Sequence, residues 1–263
     1  MPSILYVVDA FSSVPFSGNP AAVCVLEAQA DEAWMQNVAQ EMNLAETAFM
    51  WPIAGGYSLK WFTPMVEVDL CGHATLASAF TLWHMKKIDI ASDVRFHTRS
   101  GWLTCTWRNE WIEMDFPALT VQPCEIPDAL ATALDWQPKL LLRSSMDYLV
   151  EVPDEVVLRG LKINMRLLAT LPARGLIVTC KSASADFDFV SRFFAPAVGV
   201  DEDPVTGSAH CALGPYWKMK LQKNDFKAFQ ASKRGGIVQL ELRGDRVALS
   251  GQAVLMSRIE LFH

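Results

Sequence analysis

Three pairs of residues, Gly72 and Gly207, Arg99 and Arg234, and Gly101 and Gly236, stand the same 135 positions apart in a chain of 263 residues. One fixed offset held at several places marks an internal repeat, and a repeat has to fold as two copies of one plan. A further echo, Trp61-Phe62-Thr63-Pro64 against Phe193-Phe194-Ala195-Pro196, is out of step by three residues, so the second copy carries a short insertion ahead of its glycine. The first two glycines open related segments, Leu70-Cys71-Gly72-His73-Ala74-Thr75 and Glu202-Asp203-Pro204-Val205-Thr206-Gly207-Ser208-Ala209. Each leads from polar groups into a small-residue apolar run that reads as a buried helix. Two matching helix N-termini pointed at one cleft would make a site for an anion. The length suits two domains of ordinary size, placed at 1–118 and 119–263.

Composition narrows the class. Hydrophobic residues at 51% and charged residues at 20% describe a folded protein, and a net charge of -6 argues against nucleic acid or an anionic membrane as partner. Met1 to Leu26 has no basic leader and is broken by Pro15, Gly18 and Pro20, so it reads as strand and turn rather than signal peptide. No uncharged run approaches the roughly 18 residues of a membrane helix, and a cytoplasmic location is expected. The six cysteines form no Cys-x-x-Cys pair and sit in apolar sequence, as reduced core cysteines do. Cys71, His73, His210 and Cys211 match no metal-ligand spacing, so no metal is expected.

Along the chain, Ile4 to Phe11 and Ala21 to Leu26 read as a hairpin around a Pro/Gly/Asn-rich turn. Trp34, Met35, Val38 and Met42 recur at helical spacing, and Glu46 falls where that helix has ended and a strand begins. Ala74 to Met85 is apolar on nearly every face and should form a central helix wrapped by strands, with Ala209 to Met219 as its counterpart. Pro215 should bend the second helix. Asn109-Glu110 and Gly244-Asp245 mark tight hairpins.

Four residues carry candidate chemistry. Glu46 is a lone carboxylate among Leu44, Ala45, Ala48, Phe49 and Met50, and acids or bases in apolar surroundings are suited to proton transfer near neutral pH. His73 follows a glycine at a helix start, where the helix dipole resists its protonation. Asp203 and Ser208 flank the second glycine, where capping residues also belong. An acid, an imidazole, a carboxylate and a hydroxyl spread over both copies of one loop point to a site between the two halves.

These segments, together with Asp9-Ala10-Phe11, Pro15-Phe16-Ser17-Gly18-Asn19-Pro20-Ala21-Ala22-Val23, Asn43-Leu44-Ala45-Glu46-Thr47-Ala48-Phe49 and Ser232-Lys233-Arg234-Gly235-Gly236, resemble the phenazine biosynthesis PhzF-like family in order and spacing. The resemblance implies an α+β, diaminopimelate epimerase-like fold of two pseudo-symmetric domains, each a curled sheet around a central helix. It implies an isomerase with no metal and no organic cofactor, in which Glu46 takes a proton from one carbon of a small cyclic carboxylic acid and returns it to another. His73, Asp203 and Ser208 would be the other catalytic residues, and Asn19, Gly72, Thr206 and Gly207 would bind the anionic substrate, the glycines by letting backbone amides approach it. A homodimer is implied as well. Ala45 stands where the family commonly has serine, so the family's substrate is not carried over with its fold.

Two other readings start from the same residues. A two-base racemase would use a pair of thiols, for which Cys71 offers one member and the Asp203 to Ser208 loop none. A binding protein that kept the fold and lost the chemistry is the third.

Overall fold

The computed structural model describes residues 3–262 and divides into two compact units. Unit 1 holds the chain up to Phe116 and takes it up again from Ser250, and unit 2 is Pro117–Leu249.

Unit 1 begins with strands β1 (Ser3–Ala10) and β2 (Asn19–Val25), paired antiparallel. Helix α1 (Glu32–Met42) follows, capped by the Asp31 side chain on the Trp34 amide and ended by Asn43 in the left-handed conformation. Both ends use residues whose short polar side chains suit them to those places. Next come β3 (Glu46–Ile53), β4 (Gly56–Phe62) and the short β5 (Glu67–Val68), then helix α2 (Gly72–His84) and strands β6 (Val94–Thr98), β7 (Gly101–Arg108) and β8 (Trp111–Pro117). The β7–β8 turn sets Asn109 and Glu110 both at positive φ, the backbone of a tight two-residue hairpin.

Unit 2 contains β9 (Gln122–Cys124), α3 (Asp128–Ala133), β10 (Leu141–Arg143), β11 (Asp147–Glu151), the short helices α4 (Glu155–Gly160) and α5 (Met165–Leu168), β12 (Gly175–Lys181) and β13 (Phe189–Phe194). Helix α6 (Gly207–Leu221) then leads to β14 (Asp225–Gln230), β15 (Gly236–Arg243) and β16 (Arg246–Gly251). The last strand, β17 (Ala253–Leu261), belongs to unit 1.

The repeat read from the numbering is a repeat of pairings. In unit 1, β1–β2, β2–β3, β3–β4, β4–β6 and β6–β7 run antiparallel, parallel, antiparallel, parallel, antiparallel. In unit 2, β10–β11, β11–β12, β12–β13, β13–β14 and β14–β15 follow the same series. Gly72 and Gly207 are the first residues of α2 and α6, and Gly101 and Gly236 the first of β7 and β15. Both helices therefore start two residues earlier than their apolar runs suggest.

The central helices are buried along most of their length. Within α2 the hydroxyls of Thr75, Ser78 and Thr81 donate to the carbonyls of Cys71, Ala74 and Ala77, so three polar side chains enter the core already satisfied. Pro215 lies inside α6 and cannot donate to the Cys211 carbonyl one turn back. The backbone amide of Leu119 donates to that carbonyl at 2.9 Å, so a neighbouring segment supplies the missing bond.

One boundary is corrected. A cut after residue 118 gives everything downstream to the second domain, whereas Ser250 onward returns to unit 1. The cause is strand pairing: β17 lies antiparallel along β1 from Ser3↔Leu261 to Ala10↔Ala253, leaving β1 bonded on both edges. Among the described residues no helix is long and apolar enough to cross a membrane.

Gly251 marks how tightly the returning chain packs. A Cβ there would sit 2.3 Å from Phe11 Cδ1 and 2.7 Å from Leu76 Cδ1, both fully buried side chains with little room to move. Gly251→Ala is expected to lower the unfolding free energy by about 1–3 kcal/mol, the usual cost of overpacking. An unchanged urea midpoint would show that this contact is slack.

Candidate active site

Unit 1 brings three of the predicted residues together. Glu46 opens β3, where it pairs in register with Ala21 of β2; His73 is the second residue of α2; and Asn19 opens β2. Each therefore sits where a regular element begins, held by backbone bonds on one side. His73 Nε2 lies 3.1 Å from Glu46 Oε2, with the histidine side chain 5% exposed and the carboxylate 16%. Both atoms are buried, and although they are within hydrogen-bonding distance neither completes an aligned hydrogen bond. On the far side of the ring, Nδ1 lies 3.1 Å from the amide nitrogen of the fully buried Asn19 and 3.5 Å from Cys71 Sγ.

The electrostatics are set by burial. The Cys71 thiol is pushed up by desolvation first and by the Glu46 charge second. For His73, burial opposes a positive charge, while the negative forms of Cys71 and Glu46 favour it strongly enough that the net pull is upward. The helix-start argument for a neutral histidine thus competes with a carboxylate in contact with the ring.

Unit 2 repeats the turn with other groups. Thr206 is the N-cap residue of α6 as Cys71 is of α2; both have extended backbones and neither caps its helix through its side chain. The Thr206 hydroxyl instead donates to Asp203 Oδ2. Ser208 takes the place of His73, second in the helix, and is half-buried. Arg192 holds Glu202 through two bonds, Nε to Oε1 at 2.7 Å and Nη2 to Oε2 at 3.0 Å, and the Asp203 amide donates to the Phe193 carbonyl, which ties the turn to β13.

Sequence reasoning missed the residue that clamps this turn. Gln230, fully buried at the end of β14, accepts from the Thr206 amide at 2.9 Å and donates to the Asp203 carbonyl at 2.7 Å and to Thr206 Oγ1 at 3.2 Å. Ser232 adds a bond to the Pro204 carbonyl at 2.8 Å. A lone glutamine in an alternating strand carries no signal of that task, although the nearby Ser232-Lys233-Arg234-Gly235-Gly236 motif does flag the segment.

Glu46, Cys71 and His73 are also the side chains whose ligand atoms cluster within 4.8 Å, the spacing a cation would need. The sulfur and the carboxylate contact opposite nitrogens of the ring, and an amide donor already occupies the lone pair of Nδ1.

Compared with known proteins, the chain has the fold of the epimerases that share this two-unit plan. A hydroxyproline epimerase from Agrobacterium vitis superposes with a TM-score of 0.67 over 99% of this chain and 92% of its own, at 8% identity, which speaks to architecture alone. The match is closer for a PhzF family protein from Enterococcus faecalis, with a TM-score of 0.95 and 39% identity over 100% of both chains. A relative from Halalkalibacterium halodurans, named as an uncharacterized isomerase, is 55% identical over 262 residues, 99% of each chain. The family pattern of phenazine biosynthesis-like protein matches residues 8–258, and the chain belongs to that family.

The repeat also explains a histidine that belongs to structure. His210 stands 135 positions after Thr75 and does the same work, its Nδ1 bonding the Thr206 carbonyl at 2.8 Å as the Thr75 hydroxyl bonds that of Cys71 at 2.6 Å. Its ring stacks on Phe189, and burial drives its pKa down from 6.5 to about 4. A depressed histidine adds stability that is whole above pH 6.5 and is lost as the pH falls toward 4, on the order of 3 kcal/mol in all. His210→Asn, which keeps a donor for Thr206, should flatten that part of the pH dependence in urea titrations. Identical pH slopes for variant and parent would remove His210 from the acid response.

Proposed function

We propose that this protein is an isomerase that shifts a proton between carbons of a small cyclic carboxylic acid, with Glu46 as the acid and base and His73 as its partner. The observation that carries the reading is the Glu46 to His73 contact: two buried proton-bearing groups 3.1 Å apart, neither locked into an aligned bond. A structural pair would be expected to satisfy itself; an unsatisfied one is poised for a third group.

The step balances without an electron acceptor. The Glu46 carboxylate takes a proton from a substrate carbon, the C–H electron pair moves into the adjacent unsaturated system, and the resulting carboxylic acid returns the proton at another carbon as the double bond shifts. Membership of the family and the isomerase name carried by a relative at 55% identity support the class of reaction. We assign Asp203 and Ser208 of unit 2 to assisting transfer, and Gly72 of unit 1 together with Thr206 and Gly207 of unit 2 to substrate binding. The family likeness extends the reading to a homodimer, which light scattering of the purified chain tests.

The two-thiol alternative has less support. Cys71 is buried with its pKa raised, and the position that matches it in the second turn is Thr206, whose hydroxyl is engaged by Asp203.

Incubation in deuterated water with a panel of small cyclic acids, read by mass spectrometry, should show deuterium incorporation or a shifted double bond for at least one of them. Glu46→Gln should slow that reaction roughly 100-fold or more, the range for losing a positioned general base, while circular dichroism stays native. Full activity in a folded Glu46→Gln protein would overturn the assignment.

A further inference from the structure

We propose that Asn19 is a positioning residue that fixes which ring nitrogen of His73 carries the proton, keeping it on Nε2, the side that faces Glu46. The inference rests on the reading of Glu46 and His73 as the proton-transfer pair and assigns the residue that sets the state of that pair.

The argument begins with what an amide nitrogen can do. Asn Nδ2 has hydrogens to give and no lone pair to offer, so a contact of 3.1 Å to His73 Nδ1 requires Nδ1 to accept. Cys71 Sγ approaches the same nitrogen at 3.5 Å, but a thiol can give or accept, so this contact does not choose between tautomers. The Asn19 donor on that lone pair leaves no room for a hydrogen on Nδ1. In a neutral imidazole the proton must then sit on Nε2, 3.1 Å from Glu46 Oε2.

Asn19 is built to hold that line. Its side chain is wholly buried, and its backbone pairs with Ala10 across β1–β2. Gly18 before it has φ +73, and a Cβ there would fall 2.2 Å from the Ala10 carbonyl oxygen, so the turn delivers the amide from a backbone with one conformation. The contact joins residues 54 apart in sequence, from the start of β2 to the start of α2.

A tautomer fixed in this way has a chemical consequence. An imidazole with a bare Nε2 beside Glu46 would drain away the proton that the carboxylate takes from substrate. With Nε2 already protonated, a second proton on His73 has to displace the Asn19 donor from Nδ1, which sets that contact against the upward pull of the Glu46 charge. While that contact holds, the proton stays on Glu46 for return to substrate, and His73 serves as a neutral donor. The groups that act on the ring pull in two directions: the Glu46 charge at Nε2 favours a positive ring, while burial, the Asn19 donor at Nδ1 and the α2 N-terminus oppose it.

The test reads the ring directly. In protein labelled with 15N-histidine, long-range proton–nitrogen correlation spectra at neutral pH distinguish bare from protonated ring nitrogens, and the loss of one spin system in His73→Gln assigns the signal. The expected result is a protonated Nε2 and a bare Nδ1 in the parent protein, unchanged in Cys71→Ala. Asn19→Asp, which replaces the donor by an acceptor, should move Nδ1 into the protonated region and yield the doubly protonated ring. A parent spectrum with a proton on Nδ1 overturns the proposal, as does a folded Asn19→Asp with an unmoved Nδ1 or a tautomer that changes in Cys71→Ala. If Asn19→Asp does not fold, the parent and Cys71→Ala spectra still decide. None of these readouts depends on turnover, so the failure of Glu46 as catalyst would be seen separately, in the deuterium experiment.

Discussion

A helix surrounded by strands can meet polar matter only at its ends. That constraint organises each unit: α2 and α6 are apolar along most of their length, and the internal hydroxyls of α2 are turned back onto its own backbone. What remains for chemistry is the first turn, where amides lack partners and the preceding loop can place side chains. His73 and Ser208 both occupy that turn, one residue beyond a glycine.

Starting from one plan, the two units have spent the equivalent positions differently. Glu46 opens β3 opposite Ala21; the matching strand opens with Gly175 opposite Asp147. A Cβ on Gly175 would stand 2.5 Å from the Phe194 carbonyl oxygen, so no acid can stand there without moving the backbone. Unit 2 instead buries Asp147 completely and answers it with the guanidinium of Arg174, Nε to Oδ1 at 2.9 Å and Nη2 to Oδ2 at 2.5 Å. A carboxylate in one copy waits beside an imidazole, while the nearest analogue in the other is tied down as a strut.

What was legible in the sequence is what local pattern dictates. The repeat, the two all-round apolar helices, the tight hairpin at Asn109 and Glu110 and the strand that opens at Glu46 follow from periodicity, turn chemistry and spacing. The rest depends on partners far off in the chain. Strand β17 opens on four apolar residues in a row and gives no alternating pattern, so its place is set by the free edge of β1; Gln230 is one polar residue in a strand until the Asp203 turn comes to rest on it; and Asn19 is part of a loop motif until His73 arrives. The backbone rescue at Pro215 is of the same kind, since nothing near the proline shows that Leu119 will supply the bond.

The return of β17 to unit 1 bears on how the protein is made. Unit 2 is one continuous stretch and has all its strands as soon as it leaves the ribosome, whereas β1 keeps an open edge until residues beyond 253 emerge. The half that was translated first is thus the half that matures last, and the sheet that carries Glu46 and abuts α2 closes only after its sister is finished. During that interval β1 is bonded to β2 alone and leaves its other edge open to pairing.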